Sequence, residues 1–232
     1  MTENLQFGFW HILEKERIKV CSKIEEYNGE ENLALTCTQL DNKKDQTKIV
    51  NSWCQLLQNQ QLPVKKIWVR TRISQKIFDA ICFQKNLEGL WIKWGVYPDI
   101  SNISNLIQLQ YLHLGGGISI SDISVISSLK KLKSFEADNL QGISDYSFLA
   151  SLNNIVDLLI EGDPYSSMKP VTLKSLKFLE SMPQIQRLSL SMTKIEDQSY
   201  LPILKIKNLK HLELPNNKDA NKDIKAFEKF IK

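Results

Sequence analysis

The chain has 232 residues, 42% of them apolar and 24% charged, with a net charge of +4. This composition suits a folded chain with a continuous core and excludes a charge-rich disordered polymer. Lys, Asp, Glu or Asn interrupts every hydrophobic run before the roughly 18 apolar residues that span a bilayer, which excludes a transmembrane helix.

Residues Met1 to Phe7 carry no basic cluster, and Glu14, Lys15, Glu16 and Arg17 end the apolar stretch that follows before any small-residue cleavage site. The expectation is a cytoplasmic chain. Between residues 7 and 27, Phe7, Phe9, Ile18 and Val20 suit strands while Ile12, Leu13, Glu16 and Arg17 equally suit a helix, so the element type stays open. Leu33 to Thr38 alternates like a strand, and Thr47 to Gln58 places Ile49, Trp53, Leu56 and Leu57 on one helical face. Together they resemble a degenerate repeat inside an N-terminal cap of residues 1–62.

From residue 63 to 214 the spacing L-x-x-L-x-L, with apolar replacements, returns seven times. Its triplets are Val64, Ile67, Val69; Leu87, Leu90, Ile92; Leu109, Leu112, Leu114; and Leu132, Phe135, Ala137. Three more follow: Ile155, Leu158, Ile160; Ile185, Leu188, Leu190; and Leu209, Leu212, Leu214. Alternate side chains of a short strand point inward, and one unit cannot bury its aliphatic face alone, so the units stack. The step from Ile155 to Ile185 is longer than the others, which places an insertion at Gly162 to Pro170. Tyr165 and Met168 on that loop are candidate partner contacts, and a helical stretch through Leu173, Leu176 and Leu179 is expected after it. Pro215 to Asn217 stops the last strand. Ile224, Phe227, Phe230 and Ile231 then predict an amphipathic helix within a C-terminal cap of residues 215–232.

The segments Ile120-Ser-Asp122-Ile-Ser-Val-Ile-Ser-Ser-Leu129 and Ile143-Ser-Asp145-Tyr-Ser-Phe-Leu-Ala-Ser-Leu152 resemble SDS22-like and internalin-like leucine-rich repeats. The resemblance implies an α/β leucine-rich-repeat solenoid, with parallel strands on its concave face, short helices or 3-10 turns on its convex face, and a cap at each end. It also implies an asparagine ladder bonding successive turns. Here those positions read Arg72, Gly95, Gly117, Leu140, Asp163, Thr193 and Asn217, so irregular turns are expected.

The outward strand positions form three columns. The middle one runs Trp68, Trp91, His113, Glu136, Leu159, Ser189 and Glu213. Around it stand Lys66, Arg70, Lys93 and Tyr111 at one end, and Asp138, Asp157 and Glu161 in the middle. Aromatics with Arg in a solvated column have no core to fill and are the residue types that dominate protein interfaces. This face is therefore the candidate partner-binding site. In the alternative, the N-terminal cap folds over Trp68 and Trp91 and makes them core.

Catalysis finds little support, with His11, His113 and His211 the only histidines and no G-x-S-x-G or H-E-x-x-H motif. The four cysteines form no C-x-x-C pair and read as buried free thiols. Gly115-Gly116-Gly117 lacks the G-K-[ST] ending of a phosphate loop and reads as a turn. The acidic cluster is too broad for a cation cage, so neither metal nor cofactor is expected.

The expected partner is another protein, bound by a monomer or weak dimer. An immunity or inhibitor protein that masks a bacterial toxin is the sharper form, drawn from analogy with small stand-alone repeat proteins. Nucleic-acid binding through Lys66, Arg70, Lys93 and the Trp pair is the alternative, opposed by the acidic half of the face, and a purely structural scaffold is the third.

Overall fold

One strand per repeat, flanked by apolar residues that need covering, dictates a stack of coils. The computed structural model, which describes residues 18–163 and 167–227, has that form. In chain order the N-terminal elements are β1 (Val20–Cys21), β2 (Asn32–Leu35) and helix α1 (Lys43–Asn59). Next come β3 (Lys66–Val69), β4 (Ile73–Ser74), helix α2 (Gln75–Ile81), β5 (Gly89–Ile92) and β6 (Gly95–Val96). The later repeats supply β7 (Tyr111–Gly115), β8 (Ser134–Asp138), β9 (Asp157–Glu161) and β10 (Val171–Leu173). Strands β11 (Arg187–Ser189), β12 (Thr193–Ile195) and β13 (His211–Glu213) lead to helix α3 (Lys218–Phe227).

Among the described residues, nine strands form one sheet in the order β1-β2-β3-β5-β7-β8-β9-β11-β13, and every pairing is parallel. The sheet runs unbroken across residue 62. The segment Leu33 to Thr38 contributes β2, and the ambiguous stretch contributes β1 and a 3-10 turn at Ile24–Glu26. Residues 1–17 of that stretch lie outside the described residues.

The inward triplets build one continuous core in which Ile67, Leu90, Leu112, Phe135, Leu158 and Leu188 are all buried. Each such side chain stabilises the stack by about 1.5–3 kcal/mol, an upper estimate because the unfolded chain already buries some of this surface.

On the opposite side, 3-10 turns at Ser101–Asn105, Ser124–Ser128 and Ser147–Ser151 return the chain. The repeat's aspartate explains how they start. Asp99, Asp122 and Asp145 accept hydrogen bonds from the backbone N–H of Ser101, Ser124 and Ser147, at 2.8, 2.8 and 2.9 Å. Those bonds hold the three carboxyls below the usual carboxylate range.

Helix α1 is longer at both ends than the expected Thr47 to Gln58 because both ends are capped. The Asn42 side chain accepts from Lys44 N–H at 3.0 Å, and the buried Gln84 amide donates to the carbonyls of Leu57 and Gln60 at the other end. Trp53 anchors the helix to the sheet by donating its indole N–H to Ser22 O at 2.7 Å.

The turns after the strands are irregular in a definite way. Gly116, Asn139 and Met192 occupy equivalent positions and all have φ between 53° and 56°. These three turns take a left-handed residue there, and only the first of them is glycine, while Gly162 at the same position does not adopt that conformation. Where asparagine survives at the ladder position, Asn217 donates to Thr193 O at 3.1 Å. Elsewhere the backbone pairs with itself in two small sheets, β4 with β6 and β10 with β12.

The expected helix through Leu173 is replaced by strand β10 followed by a 3-10 turn at Lys177–Ser181. Pairing of β10 with β12 outweighs the three-residue spacing of the leucines. Helix α3 begins at Lys218, six residues ahead of Ile224, the first residue of its predicted apolar face, and Phe230 and Ile231 lie outside the described residues.

Candidate functional site

The register of the sheet aligns the three outward columns. In the middle one, Val20, Ala34, Trp68, Trp91, His113, Glu136, Leu159, Ser189 and Glu213 pair in succession. The N-terminal strands therefore prolong the column with small and aliphatic residues.

Its exposure differs from the expectation of a solvated column. Trp68 has no exposed surface and Trp91 retains 7%. With Ala34 they form a second apolar core on this face, packed by Ile18, Val20 and Tyr111. Parallel strands lie about 4.8 Å apart, so large rings in register cover one another, and the N-terminal strands close the open side. Trp68 is a packing residue rather than a contact residue.

The column continues as a chain of polar contacts. The His113 ring stacks on Trp91 with centroids 5.0 Å apart, and its Nδ1 lies 2.8 Å from Glu136 Oε2. Both His113 and Glu136 are buried, which the expected open column did not provide. Asp157 is buried too, and accepts from the Arg187 guanidinium at 2.7 Å.

Lys66, Tyr111, Asp138 and Glu161 are half-buried, while Arg70 and Lys93 are exposed. Met168 is exposed, and Tyr165 lies outside the described residues. The solvent-facing residues left on this side thus belong mainly to the third column, in which Arg70, Lys93, Gly115, Asp138 and Glu161 follow one another strand by strand.

Two of its carboxyls are strongly perturbed. Burial pushes Asp138 up to about 6 despite the attraction of His113, with Asp163 and Glu136 adding repulsion. Burial also pushes Glu161 up to about 7, reinforced by the charges of Asp138, Glu213 and Glu136. A carboxyl whose folded value is raised keeps a proton that the unfolded chain has already released. Stability therefore declines as pH rises from about 4.5 to 7.

Glu161→Gln should stabilise the chain by about 1–2 kcal/mol at pH 8, allowing for partial solvent exposure, and by little at pH 5. Urea midpoints at the two pH values check this. An equal difference at both would show that Glu161 is not under strain.

The cysteines Cys21, Cys37, Cys54 and Cys82 are free and buried. Burial raises all four thiols, Cys37 to about 12, so none is a ready nucleophile at neutral pH. Among the described residues, no His, Cys, Asp or Glu group of three or more is placed to hold a metal ion.

Comparison with known proteins bears on the fold. No protein-family model matches the chain, and no curated protein matches it in sequence. Solved structures do match. Internalin C2 from Listeria monocytogenes is 18% identical over 68% of this chain and 76% of its own, with a TM-score of 0.50. The internalin inlF of the same bacterium is 18% identical over 80% of this chain, with a TM-score of 0.54.

The chain has the leucine-rich-repeat fold. A structure pairing PEPR1 with AtPEP1 is also similar, at 16% identity over 66% of this chain and a TM-score of 0.51. The leucine-rich-repeat chain spans about half of inlF (54%) and a quarter (25%) of PEPR1. Among its described residues no helix is long and apolar enough to cross a membrane.

Sequence periodicity missed Trp94, which is 37% exposed and lies under the Arg72 guanidinium at 5.6 Å from the ring centroid. It falls in the turn after β5, outside the apolar triplet. The repeat spacing aligns Trp94 with Thr71, whereas the pairing of β4 with β6 sets it against Arg72, so the sequence offered no signal for the contact.

Proposed function

We propose that this is a non-catalytic protein-binding module whose partner lies along the third column of the concave face. The row Arg70, Lys93, Gly115, Asp138, Glu161 carries the proposal, with two exposed cations just past β3 and β5, two carboxyls ending β8 and β9, and the buried Gly115 between them. A protein surface with acids facing Arg70 and Lys93 and a base facing Asp138 and Glu161 complements it. Such a dipolar row fixes orientation and raises the association rate. Lys66 and Tyr111 stand in the first column at the other end of the same strands, and Met168 is exposed on the insertion loop.

The mechanism is occlusion or scaffolding. An immunity or inhibitor role, in which the covered surface belongs to a bacterial toxin, is its sharper form. The four free buried thiols support a reducing compartment such as the cytoplasm. The acidic half of the row supports protein over nucleic acid as the partner.

The test is capture from lysate of the source cells by the wild-type chain and by Lys93→Glu and Asp138→Lys variants, read by mass spectrometry. A protein held by the wild type and lost from both variants is expected. Capture should weaken from pH 8 to 5.5, because Glu161 and Asp138 take up protons and lose their attraction for the partner's base. Capture mainly of RNA, falling steeply with salt, would replace this reading.

A further inference from the structure

A second surface lies at the edge of the coil, on the turns that follow the strands. Trp94, Val96 and Ile118 are 37%, 45% and 62% exposed there. Val96 sits on β6 beside β4, and Ile118 occupies the equivalent position one repeat later. Neither apolar core includes these three side chains. Trp94 is held in place from two sides. Arg72 lies over its ring, and a Cβ at Gly116 would come within 2.6 Å of the Trp94 Cβ, so the stem of Trp94 rests on bare backbone of the next turn.

The charge at the Arg72–Trp94 end of this apolar stripe is cationic. Arg70, Arg72 and Lys93 are exposed, and among the described residues none of them makes an ion pair. Trp and Arg are among the residue types enriched at the energetic centres of protein contacts, and cations without an ion-pair partner select what approaches.

We infer that this edge docks an acidic peptide segment carrying an aliphatic or aromatic anchor, the anchor lying on Trp94, Val96 and Ile118 and its carboxylates facing Arg70, Arg72 and Lys93. A nucleic acid fits less well. Arg72 already covers one face of the indole, and Val96 and Ile118 offer a base or phosphate nothing to stack on or bond to. The inference shares Arg70 and Lys93 with the concave row but uses neither of that row's carboxyls, so it does not depend on that reading.

The experiment is to pan a random dodecapeptide library on the folded full chain, then measure the enriched peptides by fluorescence anisotropy. Enrichment of acidic peptides with one or two large apolar residues is expected. Their affinity should fall roughly tenfold or more in Trp94→Ser and in Arg72→Glu, and should be unchanged in Asp138→Lys. Thermal melts of the variants confirm that they fold, and fluorescein-labelled oligothymidylate is the nucleic-acid probe. No enrichment, enrichment of neutral or basic peptides, or affinity retained in both edge variants would overturn the inference. So would oligothymidylate binding that the same two substitutions abolish. Loss of peptide in Asp138→Lys would instead assign the peptides to the concave row.

Discussion

Trp68→Ala is expected to destabilise the chain by about 3–5 kcal/mol, the cost of removing a large aromatic from a packed site. The ring has no exposed surface, and Ala34 and Trp91 flank it in register on the neighbouring strands. Because this core is built around three residues, few neighbours can collapse into the space left behind. In a stack where each repeat touches only its neighbours, the damage should be local first. Hydrogen exchange should show β1 and β2 opening before β7 and β8. Trp94→Ala is the control, since that ring is exposed at the edge and its loss should cost less than about 1 kcal/mol. Urea unfolding of the two variants decides the matter. Similar midpoints for both would mean that Trp68 packs no better than a surface ring.

The contrast between these two tryptophans shows what periodicity can and cannot reveal. An alternating strand states which side of the sheet a residue faces, and for Trp68, Trp91 and His113 that assignment agrees with the strand register. It does not state what else occupies that side. The cover is supplied by Ala34 on β2 and by Ile18 and Val20, the latter two from a stretch where strand and helix patterns were evenly matched and whose first described element is a two-residue strand. Trp94 failed for the opposite reason, since turn residues have no period to read.

Helix α2 was hidden because Ile77, Phe78 and Ile81 sit in a segment of only seven residues, too short for a helical stripe to declare itself. The inward triplets were legible throughout because each must be apolar in every repeat, whatever its neighbours are. The acidic half of the third column was legible as charge. Its raised carboxyls were not, because they depend on how deeply Asp138 and Glu161 sit among one another.

Arg187→Met is expected to cost about 3–5 kcal/mol, although the residue lies on a short strand near the end of the array. Its guanidinium is the 2.7 Å partner of Asp157, whose carboxyl is almost wholly shielded from water and also receives Ser134 Oγ–H at 3.4 Å. Removing the cation takes from a buried carboxylate its 2.7 Å charge partner, and hydration at that depth does not replace it. The pair as a whole need not stabilise the fold, because desolvating both groups offsets most of their attraction.

The double variant Arg187→Met with Asp157→Leu should therefore recover most of the stability lost in the single one. The single variant should also regain ground as pH falls, because a carboxyl that has lost its guanidinium neighbour is protonated more readily. Chemical denaturation of both variants at pH 7.5 and 5 tests this. An undamaged single variant would mean that water reaches Asp157 freely, returning it to the partner-facing set. A double variant as weak as the single would mean that the pair is needed for registering β9 against β11 rather than for satisfying one another's charge.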